Sequence, residues 1–120
     1  MPPAAANPQH SMEHLNFEMD GLRQPRPFDA FVVGVVGSGN LEVMLEPSSN
    51  PQRCSVHVTT SARGFAPIWE AVVNDFQRRH SLGGVAISIN DMGATPAVVS
   101  LRLDQALAAL VLPDKGTVCG

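Results

Sequence analysis

Apolar residues fall on every second position in three short runs of this chain: Leu41, Val43 and Leu45; Cys54, Val56 and Val58; Val85, Ile87 and Ile89. Successive side chains of a β-strand point to opposite faces, so a period of two describes a sheet with one face buried and one face wet. Such a sheet needs a second layer over its apolar face. Two stretches supply that layer. Residues 66–80 place Trp69, Val72, Val73 and Phe76 at spacings of three and four, the apolar face of a helix. Pro67 suits its first turn, and Arg78, Arg79 and His80 suit the negative end of its dipole. Gly83-Gly84 is expected to stop it. Thr95-Pro96 then reads as an N-cap followed by proline at the first helical position, and Val99, Leu103, Ala106, Leu107 and Leu110 mark a second helical face. Val99, Leu101 and Leu103 also alternate, but residues 104–110 are mostly good helix formers, and that favours the helix.

The remaining chain adds strands. Residues 14–19 alternate polar and apolar side chains, as a short edge strand would. Residues 20–29 hold Gly21, Pro25 and Pro27 and read as a loop. The run Ala30 to Val36 is continuously apolar and β-branched, which predicts a strand buried on both faces or at the sheet centre. Gly37-Ser38-Gly39-Asn40 breaks it before the strand that begins at Leu41, a hairpin signal in which Gly39 can take positive φ without penalty. Residues 47–51 and Asp91-Met92-Gly93-Ala94 read as turns. The predicted order is β-β-β-β-α-β-α. The predicted fold is α+β: a two-layer sandwich of a mostly antiparallel sheet, about four to five strands, with two helices on one face. Residues 13–112 form the expected domain, with disordered tails over 1–12 and 113–120; the first of these also resembles a vector remnant.

Composition narrows the functions available. A chain of 120 residues is one domain and can bury a core without staples. Eight Lys and Arg against eleven Asp and Glu give a net charge of −3, which argues against a stand-alone nucleic-acid binder. Aromatic residues are 5% of the chain, with one Trp and no Tyr, so base stacking has little material. No apolar run is long enough for a membrane span, and no basic segment leads into an apolar one as in a signal peptide, so the expected location is the cytoplasm. Cys54 and Cys119 make no disulfide framework, and the four His residues show no metal-ligand spacing.

No catalytic motif is present. The string Gly34-x-x-Gly37-x-Gly39 has its spacings reversed relative to a dinucleotide-binding loop and leads into a strand rather than a helix. Glu42 and Glu46 share one strand face, which a solvated surface explains. His57 is expected to point outward, Cys54 and Trp69 to lie in the core, and Arg78 and Arg79 to form a solvated helix end. Ser38 stands between two glycines at the predicted hairpin tip. Its neighbours lack Cβ atoms, so another protein could approach its hydroxyl closely. A tight turn that happens to contain Ser fits the same residues.

Longer strings bear on Ser38. Val36-Gly37-Ser38-Gly39-Asn40-Leu41-Glu42-Val43 and Asp91-Met92-Gly93-Ala94-Thr95-Pro96, followed by Leu101-Arg102-Leu103-Asp104-Gln105-Ala106, resemble the acyl carrier (delta) subunits of malonate decarboxylases. Val58-Thr59-Thr60-Ser61 and the Trp69 helix are similar to that family too. A weaker similarity extends to the acyl carrier (gamma) chains of citrate lyases. The resemblance implies that Ser38 is the attachment serine within a turn of Gly37, Gly39 and Asn40. Its hydroxyl would be joined by a phosphodiester to 2′-(5″-triphosphoribosyl)-3′-dephospho-coenzyme A, which ends in a phosphopantetheine thiol. It implies no catalytic residue and no metal. The implied partners are the transferase and decarboxylase subunits, a prosthetic-group transferase and a malonyl transferase. These families usually carry Asp after the Ser-Gly pair, where this chain has Asn40. Asn keeps the turn geometry and removes a charge. Two readings lie outside the carrier class: a small α/β interaction module without a prosthetic group, and an enzyme completed at an oligomer interface through residues such as His57 and Asp91.

Overall fold

The computed structural model of the chain describes residues 12–34 and 41–110. Its elements follow in the expected order: β1 (Glu13–Asp20), β2 (Phe31–Gly34), β3 (Leu41–Pro47), β4 (Arg53–Thr60), α1 (Ala66–His80), β5 (Val85–Asp91) and α2 (Pro96–Ala108). The strands make one five-stranded sheet in the order β1-β4-β5-β3-β2. Every neighbouring pair is antiparallel except β4 with β5, which run parallel and are joined through α1. Parallel neighbours cannot be linked by a tight turn, so a crossover helix between them is required.

The period-two residues land where alternation puts them. Leu41, Val43 and Leu45, Cys54, Val56 and Val58, and Val85, Ile87 and Ile89 are all buried on one face. Helix α1 lays Trp69, Val73 and Phe76 on that face, and α2 lays Val99, Leu103, Ala106 and Leu107 beside them. Each fully buried Val, Leu, Ile or Phe contributes about 1.5–3 kcal/mol relative to exposure, so this single interlayer cluster dominates the folding drive. The opposite face of the sheet carries Asn16, Glu42, His57, Thr59 and Asn90. The two-layer α+β sandwich is as expected.

Two local expectations fail. The apolar run at residues 30–36 is not central: its described part, β2, is an edge strand with Val32 exposed. An unbroken apolar run carries no facial information. β3 has one free side after pairing with β5, and β2 takes it as the outermost strand. Helix α1 is also not ended by Gly83-Gly84. Ser81 adopts the left-handed conformation (φ 49°, ψ 45°) and donates its N–H to the Gln77 carbonyl. The Ser81 carbonyl in turn accepts from Leu22 and Arg23 at 2.9 and 2.8 Å, so the loop after β1 compensates for a non-glycine cap. Buried Gln77, on the same face of α1 as Val73, ties this junction together by donating to the carbonyls of Asp20 (2.6 Å) and Leu82 (2.7 Å).

The register sets up one end of the sheet. Glu13 pairs with Thr60, Thr60 with Asp91, and Asp91 with Leu41, while Gly34 stands opposite Glu42, one position further in.

Candidate functional site

Gly37, Ser38, Gly39 and Asn40 lie outside the described residues. Their flanks are described. Gly34 ends β2 and Leu41 begins β3, and the two strands are antiparallel neighbours, the pairing that the hairpin reading requires.

These flanks are closely packed. Gly34 has φ +96°, a conformation in which L side chains are strained. A Cβ there would meet the Leu41 carbonyl and would lie 2.9 Å from Arg102 Nε and 3.1 Å from Arg102 Cδ. The glycine is therefore needed twice, for its backbone and for the Arg102 side chain that α2 lays across the strand ends. Arg102 Nη1 donates to Gln105 Oε1 at 2.8 Å. Its Nε is buried and has no hydrogen-bond partner among the described residues. Among the described residues no carboxylate pairs with Arg102, whereas Arg53 pairs with Glu18 and Asp20, and Arg78 and Arg79 pair with Asp75.

Asp91 stands next to Leu41 at the same end. Its carboxylate is buried and accepts three hydrogen bonds: Thr60 Oγ1 at 2.7 Å, Ala94 N at 2.8 Å and Gly93 N at 3.2 Å. The Asp91 side chain thus organises the turn that leads into α2, which Thr95 caps by accepting from Val98 N. Beside it a cavity of about 280 Å³ opens between the N-terminal halves of the two helices, lined by Phe65, Ile68, Trp69, Val72, Ala94 and Val99.

The other sequence-level candidates are dispersed. His57 is exposed, with Nδ1 2.6 Å from Asn16 Oδ1 and its ring stacked 5.6 Å from that of His14. It sits on the outer sheet face and pairs in register with Ser88, whereas Asp91 is committed to its turn, so the structure does not bring the two together. Cys54 is fully buried, and burial, reinforced by Glu18, pushes its thiol up to about 12. Trp69 is in the core as expected. Arg79 does more than solvate a helix end: it bridges from Asp75 to Asp104 of α2 at 3.3 Å. Among the described residues no group of three or more His, Cys, Asp and Glu is placed to hold a metal. No helix among them is long and apolar enough to cross a membrane.

Sequence reasoning missed Arg102, the cavity and the Thr60–Asp91 link. Arg102 follows an apolar residue on an amphipathic helix and looks like a solvated position; only the sheet order brings it to Gly34. A glycine inside an apolar strand run was the one available signal, because it marks a bulge or a close approach.

A five-stranded, mostly antiparallel sheet with two helices on one face, its β2 and β3 joined in sequence through residues 35–40, defines an α+β two-layer sandwich. The comparisons place it further. A family model described as the malonate decarboxylase delta subunit (MdcD), an acyl carrier protein, matches residues 29–110. The malonate decarboxylase acyl carrier protein of Burkholderia cepacia is 62% identical over 97 residues, covering 81% of this chain and 89% of that protein. The protein of the same description from Acinetobacter calcoaceticus is 47% identical over 97 residues, covering 81% of this chain and 95% of its own. A chain in the crystal structure of a Pseudomonas malonate decarboxylase hetero-tetramer in complex with malonate superposes with a TM-score of 0.72 at 41% identity, covering 80% of this chain and 96% of that one. This chain belongs to the malonate decarboxylase acyl carrier (delta subunit) family.

Proposed function

We propose that this chain is the acyl carrier subunit of a malonate decarboxylase, with 2′-(5″-triphosphoribosyl)-3′-dephospho-coenzyme A joined to Ser38 through a phosphodiester. The observation that carries this reading is the antiparallel pairing of β2 with β3 in a chain of this family, because Ser38 falls in the short connection between those strands. The chemistry explains why a carrier is needed. Loss of CO₂ from malonate leaves charge on the α-carbon, and a free carboxylate neighbour is a poor electron sink. When bound, the group supplies a thiol, and a thioester carbonyl takes that charge onto oxygen, where partner donors can stabilise it. The carrier itself contributes effective concentration at successive partner sites rather than bond-making chemistry.

The residues present fit a phosphate-rich group. The flanks of residues 35–40 are overlain by the guanidinium of Arg102, which has an orphaned buried donor and no carboxylate partner among the described residues. The partners in this reading are the transferase and decarboxylase subunits of the complex, the transferase that attaches the group and the one that supplies malonyl units, all in the cytoplasm.

The intact mass of protein purified from its native host tests the reading. The expected result is an added mass on the Ser38 peptide that is lost in Ser38→Ala. Unmodified protein from a host holding the attaching transferase would favour an interaction module. Decarboxylase activity in unmodified protein would favour an interface enzyme.

A further inference from the structure

We infer that Arg102 is a positioning residue for the tether: its Nε edge binds a phosphate of the group attached at Ser38 and fixes the direction in which the arm leaves the domain. This rests on the carrier reading and adds a residue to it.

Three observations converge. First, Arg102 Nε is a buried N–H with no acceptor among the described residues, a condition native proteins rarely leave standing. Second, the guanidinium is already oriented. Nη1 is occupied by Gln105, and the edge left over is Nε with Nη2, the one that meets phosphate oxygens side-on with two parallel hydrogen bonds. Third, the place is specific. Arg102 lies against Gly34, where an added Cβ would strike both the Arg102 side chain and the carbonyl of Leu41, and Gly34 and Leu41 are the described residues that flank the segment carrying Ser38. A neutral Gln is its neighbour and no carboxylate among the described residues pairs with it, while Arg53, Arg78 and Arg79 are neutralised by carboxylates. The ligand class is therefore a phosphodiester or pyrophosphate oxygen held at the strand ends. Lys would keep the charge and lose the edge.

The experiment uses full-length protein loaded at Ser38, with loading verified by intact mass, and compares it with the unloaded form. Arginine Nε–H signals are followed by NMR for exchange rate and for scalar coupling to phosphorus. The expected result is that the Arg102 Nε–H exchanges at least about tenfold more slowly in the loaded protein and couples to phosphorus. In Arg102→Lys and Arg102→Gln the phosphorus resonance should move to its position in urea-unfolded loaded protein, while the backbone amide spectrum stays folded. An Nε–H equally protected before and after loading, without coupling to phosphorus, would mean that a carbonyl of the chain satisfies it and would overturn the inference. Absence of any added mass would instead overturn the carrier reading itself, so the two failures are distinguishable.

Discussion

Replacing Asp91 tests whether its carboxylate holds the sheet end together. Its oxygens accept from Thr60 Oγ1, Gly93 N and Ala94 N. In Asp91→Ala those donors lose their acceptor. The Ala94 bond is short and charge-assisted, worth about 2 kcal/mol, and the longer Gly93 bond about 1 kcal/mol. Thr60 is partly compensated, because the Ala62 carbonyl lies 3.4 Å from its hydroxyl, so its loss is also about 1 kcal/mol. The expected total is about 4 kcal/mol, a large share of the roughly 5–15 kcal/mol of a typical domain. Asp91→Asn keeps the oxygen that faces Gly93 and Ala94 and forces only the Thr60 hydroxyl to turn, at about 1 kcal/mol. Urea unfolding followed by fluorescence gives both values. Trp69 is the single tryptophan and lines the cavity beside Asp91, so it reports on this region directly. The expected order is wild type, then Asn, then Ala, with an unchanged m-value. An Ala variant within about 1 kcal/mol of wild type would refute the anchoring role.

Other outcomes follow from the same geometry. Gly34→Ala forces a left-handed Cβ against Leu41 and Arg102, so it should cost more than about 2 kcal/mol in urea unfolding; a loss below about 0.5 kcal/mol would sink the packing account. In a Cys119→Ser background, the buried Cys54 thiol, pushed up to about 12, should not react with a disulfide reagent at pH 8 until the protein unfolds, and prompt labelling of native protein would contradict its burial. His80 is lowered below its ordinary value of 6.5 because burial, aided by Arg79 and Arg23, outweighs the opposite pull of Asp104 at 3.5 Å. The folded state therefore favours the neutral ring: the stability it contributes is complete above pH 6.5 and is lost as pH falls below that value. His80→Gln should flatten the stability–pH slope in that window, and an identical slope in wild type and variant would rule this out.

Much of the fold was legible in the residues because alternation and helical spacing are local. The inner faces of β3, β4 and β5 follow directly from Leu41, Cys54 and Val85 and their i+2 partners, and the bounds of α1 follow from Pro67 and the cationic last turn. What was not legible depends on neighbours. Nothing in the apolar run at residues 30–36 says which side of β3 it will occupy. Nothing in Ser81 says that Leu22 and Arg23 will serve its carbonyl. Arg102 reads as one more helix-surface cation until the sheet order puts Gly34 beneath it. The Asp91 turn was visible as a turn, but its buried link to Thr60 required the parallel pairing of β4 with β5.

That parallel pairing also dictates when the molecule can come into being. The central strand is β5, the last strand among the described residues, and it alone bridges the β1–β4 ladder to the β3–β2 ladder. A nascent polypeptide that has not reached Val85 holds two separate ribbons with apolar flanks and no shared sheet. Closure is a late, long-range event, so no shared native core exists until β5 has been made.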